Sequence, residues 1–155
     1  VDPQEPRFVL RDQVEQPLDL RAYPSPLQGF RANISEHDTD VLFRVEGAQP
    51  GGVIRLATLD AYDGLTYNVS NAALAGASDF VRVGARIDAP AVGDPYQVRI
   101  EIVDYADVWL PSVGVTRDVE FEGERATELG DTLFHNAGSG TSLVTVFRGT
   151  PGGST

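Results

Sequence analysis

Asp60 and Asp63, three positions apart and followed by Gly64, are the residues with the most chemistry to offer in this chain. They close the stretch Leu-Ala-Thr-Leu-Asp-Ala-Tyr-Asp-Gly, residues 56–64. Two converging carboxylates could share a proton, flank a glycosidic bond or hold a divalent cation. Calcium takes about six to eight oxygens, and an EF-hand-like loop spaces its acids at alternate positions with a distal glutamate. That spacing is absent. A glycosidase pair faces its partner across a cleft, which local spacing does not report. The competing reading is conformational, because Asp-Gly tolerates positive φ in a tight turn. On that reading Asp60, Tyr62, Asp63 and Gly64 form a strand-turn-strand element: Asp60 caps the loop, Asp63 bonds local backbone, and Tyr62 and Tyr67 cover the core edge. The turn reading is the stronger, and no catalytic residue, metal site or cofactor is expected.

The remaining candidates are weaker. His37 lies in Glu36-His37-Asp38-Thr39-Asp40, which reads as a solvated acidic loop. His135 precedes Asn136 at a strand end, where a surface or capping role is expected. No Gly-x-Ser-x-Gly elbow accompanies the serines, and Gly138-Ser139-Gly140 reads as a hairpin turn. Tyr105 and Trp109, in Asp104-Tyr105-Ala106-Asp107-Val108-Trp109, could join Tyr67 as a surface that stacks on sugar rings or meets a partner. The alternative for Trp109 is the core, where a large aromatic contributes most burial; that reading is preferred. Asn33-Ile34-Ser35 and Asn68-Val69-Ser70 match the glycosylation sequon, a short pattern that arises often by chance.

The elements that must position these residues are strands. Val41, Phe43 and Val45 alternate with Leu42, Arg44 and Glu46, and Tyr96, Val98, Ile100 and Ile102 alternate with Gln97, Arg99 and Glu101. Val81, Val83, Ala85 and Ile87 alternate with Phe80, Arg82, Gly84 and Arg86. Such a period of two puts one face in a core and the other in water. Further strands are expected at 53–59, 66–70, 115–121, 131–135 and 141–148, separated by Gly- and Pro-containing turns. Only residues 70–78 suggest a helical turn. The expected fold is an all-β, antiparallel, sandwich-like single domain. Residues 1–30, with five prolines, read as an extended arm packed on it. Residues 31–148 form the domain, and 149–155 a flexible linker.

Bulk composition narrows the function. The 155 residues suffice for one domain with a real core. A net charge of −11 repels nucleic acid and anionic lipid, so neither is an expected partner. Cysteine is absent, which removes disulfides, thiolate metal sites and cysteine nucleophiles. No apolar run is long enough to span a bilayer, and the missing methionine at position 1 suggests a piece of a longer protein. All twelve basic residues are arginine.

Three segments in order, Asp40-Val41-Leu42-Phe43-Arg44-Val45, then residues 55–64, then Trp109-Leu110-Pro111, resemble the extracytoplasmic region preceding the catalytic core of bacterial membrane-bound transglutaminase-like proteins. The resemblance covers roughly residues 24–148 and is most specific at Leu-Asp-x-Tyr-Asp-Gly. It implies a β-rich region outside the membrane, tethered through membrane helices and followed by a Cys-His-Asp core. Those helices and that core would be its partners, with cell-wall material a further one. The family usually has tryptophan three residues after Asp-Gly, where this chain has Tyr67. Its triad has no counterpart here, so its activity transfers to no residue. The implied role is to position the core or present its substrate; a cell-wall glycan-binding module is the alternative. Beside a core that joins glutamine to amines, a lysine-free surface would also escape self-cross-linking, although codon bias explains the absence more simply.

Overall fold

A computed structural model describes residues 18–62, 64–65, 67–69 and 79–145. The fold is β-rich, with short antiparallel strands and few helices. Helix α1 (Pro26–Ser35) is followed by β1 (Phe43–Glu46), β2 (Ile54–Arg55), β3 (Ala61–Tyr62), β4 (Tyr67–Asn68), β5 (Val81–Arg82), β6 (Arg99–Ile102) and β7 (Ser112–Val113). Helix α2 (Ala126–Asp131), β8 (Leu133–Asn136) and β9 (Thr141–Val144) complete the order. Three sheets have two strands, β1-β6, β2-β7 and β3-β4; the fourth has three, β5-β8-β9.

The β8-β9 hairpin is the centre of the molecule. All four residues of β9 are buried, and the period of two sends them to two different clusters. Leu143 packs with Leu20, Val69, Phe80, Val108 and Trp109. Val144, with its cross-strand partner Leu133, packs with Tyr105. The free edge of β9 is used as well: Leu110 N–H donates to Ser142 C=O and Val144 N–H to Val108 C=O. That ladder draws Trp109 into an antiparallel bridge with Leu143.

The facing expected for residues 98–102 is observed. Phe43 pairs with Ile102 and Val45 with Ile100, while Arg44 and Glu101 form a 3.0 Å ion pair on the wet face. One detail differs: Tyr96 lies outside the strand and is exposed. The alternation at 80–87 also slips: Phe80 is buried against Trp109, with ring centroids 6.3 Å apart, and Val81 is exposed. Phe80 lies one residue ahead of β5, outside its alternation, and its ring enters the core. Beyond it, Val83 is half-buried and Ile87 buried. Residues 85–87 pair with 117–119 through Ile87 N–H to Arg117 C=O and Val119 N–H to Ala85 C=O.

Helices appear where none was expected. Residues 26–30, assigned to an extended arm, begin α1. Ser25 caps it by accepting from Leu27 N–H at 3.2 Å, and Pro26 sits in its first turn, where a missing donor costs nothing. Prolines that read as extended chain here start a helix. Residues 18–25 pack on the core through Leu20, with a 3-10 turn at Leu20–Ala22. Residue 131, expected to open a strand, instead ends α2. The arm before residue 18, the helical turn at 70–78 and the linker at 149–155 lie outside the described residues.

Candidate functional site

The Asp60 to Tyr67 stretch is a hairpin. β3 and β4 pair antiparallel with Tyr62 opposite Tyr67 and Ala61 opposite Asn68. Gly64 has φ +97°, and the Tyr62 hydroxyl donates to Gly64 C=O at 2.9 Å. Asp60 is exposed just ahead of β3; Asp63 lies outside the described residues. Among those residues, no group of three or more His, Asp or Glu side chains is gathered as a metal site requires. The two tyrosine rings stack at 4.7 Å with planes 32° apart, and both are more than half exposed. A cross-strand aromatic pair of this kind stabilises a hairpin directly. Gly64→Ala is expected to cost about 1 kcal/mol, because open space surrounds the position and only the left-handed backbone resists a Cβ. Urea denaturation of the two proteins checks this.

Tyr105 and Trp109 are not on that surface. Trp109 is 3% exposed, and its indole N–H donates to Pro24 C=O at 3.3 Å. Tyr105 is 4% exposed, donates its hydroxyl to Trp109 C=O at 2.6 Å and meets Phe43 edge-on. Burial, and then the charge of Asp107, push the Tyr105 phenol well above its ordinary range. Of the three residues that could form a stacking surface, only Tyr67 faces solvent, with Tyr62 beside it, while Trp109 takes the core position preferred for it.

His135 also departs from expectation. It is buried on β8, directly opposite Ser142, and its Nδ1 lies 2.8 Å from the Ser142 hydroxyl. Strand β8 has neighbours on both edges, so a residue near its end is still interior. Burial, and then the Arg55 guanidinium, hold the imidazole below its ordinary pKa. Arg55 in turn donates to Gly114 C=O and Gly140 C=O, tying β2 to the β8-β9 turn. Because folding depresses this pKa, the unfolded chain binds the proton more readily. The contribution of His135 is therefore complete above about pH 6.5 and is lost as pH falls through that value. His37 acts oppositely. Its hydrogen bond to Asp40, 2.7 Å, raises its pKa, so its contribution is present at low pH and lost on the way up. Denaturation at stepped pH should show His135→Gln losing less stability than the wild type between about pH 7 and 5.

A groove of about 440 Å³ opens between α1 and strands β1 and β2. Its floor is apolar: Phe30, Ile34, Leu42, Phe43, Ile54 and Leu56. Asn33, His37, Asp38 and Asp40 supply its polar groups. No residue of α1 is buried, and Phe30 and Ile34, one helical turn apart, are more than half exposed. The signal for this groove, an apolar i, i+4 pair behind Ser-Pro, was present in the sequence but obscured by the proline content of the arm.

The chain matches no family model, no curated protein and no solved structure. No helix among the described residues is long and apolar enough to cross a membrane.

Proposed function

We propose that this chain is a non-catalytic, β-sandwich-like domain of a membrane-anchored, transglutaminase-like protein, lying outside the membrane. Its job is to position the catalytic core or present its substrate. The observation that carries the choice of a scaffold over a ligand platform is the burial of Trp109 and Tyr105. Trp109 ties the N-terminal segment to the β9 edge and Tyr105 holds the Trp109 carbonyl, which is a structural task. The face-to-face layering is supported by β9, whose Leu143 and Val144 serve clusters on opposite sides. The parent's membrane helices and Cys-His-Asp core are the proposed partners, on the sequence resemblance. The full reading frame tests this directly. Membrane helices should precede this chain and a Cys-His-Asp core should follow it. In the full-length protein, excising the domain should impair amine incorporation into a protein substrate more than into a small glutamine peptide. A reading frame without such a core ends the proposal.

A second reading rests on the exposed Tyr62–Tyr67 pair, which offers aromatic faces to a cell-wall glycan. Retention of the chain on peptidoglycan, lost in a Tyr62→Ser, Tyr67→Ser variant, would establish it.

A further inference from the structure

We infer that the groove between α1, β1 and β2 is a docking site for a basic, amphipathic peptide segment, one that presents two or three apolar side chains beside lysine or arginine. This goes beyond the scaffold role and does not depend on the identity of the parent protein.

The first argument is the incomplete packing of α1. A ten-residue helix is marginal in water unless its apolar face is covered. Here Ser25 and Pro26 set its start, yet Phe30 and Ile34 remain 52% and 58% exposed over an open apolar floor. Apolar side chains inserted between the helix and β1 would bury both residues together with Leu42 and Ile54. A groove of about 440 Å³ has the size of a site that seats a few side chains.

The second argument is charge. Asp38 and Asp40 stand at the groove, and no arginine is among its lining residues. The carboxylates of Glu36 and Asp104, with that of Asp40, also act on His37. The arginines of β1 and β2 are engaged elsewhere, Arg44 by Glu101 and Arg55 by the Gly114 and Gly140 carbonyls. An apolar floor with an acidic rim selects a ligand that is apolar and cationic together. It repels an apolar ligand carrying carboxylates.

The test uses the full chain and two synthetic peptides. One is a short amphipathic leucine/lysine helix; the other has glutamate at every lysine position. Calorimetric titration at low salt should show saturable binding of the lysine peptide and none of the glutamate peptide. Phe30→Ser with Ile34→Ser should weaken binding about tenfold or more. Both positions are exposed, so the variant should keep the wild-type circular dichroism; Ile34→Lys is a second variant that adds a like charge. Asp38→Asn should weaken binding about two- to fivefold, an effect erased by salt. Amide exchange in α1 should slow when the lysine peptide is bound. The control matters because a net charge of −11 attracts any basic peptide weakly. Equal binding of both peptides, binding undiminished by the groove variants, or no saturable binding overturns the inference. If a long-chain alkylammonium binds where the peptide does not, the occupant is a small amphiphile and the peptide assignment is wrong.

Discussion

Trp109→Ala is expected to lower stability by about 3–5 kcal/mol, the range for emptying a large aromatic site in a core. The indole is buried against Phe80 and the cluster around Leu143, and its N–H holds the Pro24 carbonyl. Truncation leaves a cavity at the edge of β9 and releases the segment that leads into α1. For a domain with about 5–15 kcal/mol in total, that is a large share. The urea midpoint measures it. A variant that melts with the wild type would mean that the indole faces water after all, and it would restore the sugar-stacking role for this residue.

Gly47→Ala should come next, at about 2 kcal/mol or more. Gly47 follows β1 with φ +84°, and a Cβ there would sit 2.5 Å from the Gln97 carbonyl oxygen. The left-handed backbone alone penalises any side chain. The second obstacle is main chain, which cannot rotate aside as a side chain would, so the β1-β6 pairing itself must shift. Gly64→Ala meets the first penalty without the second. The difference between the two variants therefore isolates the Gln97 contact, and equal losses would remove it from the account.

How far the molecule was legible in its sequence depends on the element. Where a strand has one wet face, alternation reads it: Phe43 and Val45 face Ile102 and Ile100, and Arg44 meets Glu101 outside. Where both faces are buried, alternation has nothing to report. Strand β9 places Leu143 and Val144 in different clusters, and His135 on β8 looks like a strand-end surface residue until β9 covers it. Helix α1 escaped for another reason. Its cap is a Ser-Pro pair inside a proline-rich arm, and two of its apolar residues are uncovered, so neither composition nor burial marks it. At the site, the pairing of Tyr62 with Tyr67 was legible because a hairpin is local in sequence. The groove was not, because the proline content of the arm hid α1, which forms one of its walls.

The same spread of partners sets the order in which the chain can fold. Arg44 and Glu101 are 57 positions apart, and Arg55 reaches Gly140 across 85. Closing such loops is paid in entropy before any contact rewards it. The β8-β9 hairpin needs only the turn held by Gly140 N–H to Asn136 C=O. It is therefore the natural nucleus, onto which the segment around Trp109 and then the distant sheets condense. Truncating Leu133 or Leu143 should slow refolding, while Val45→Ala or Ile100→Ala should chiefly hasten unfolding. Stopped-flow chevrons separate the two, and a nucleus in β1-β6 would reverse them. Until β1 and β6 meet, their apolar faces stand open to other copies of the chain. Refolding yield should therefore fall with protein concentration.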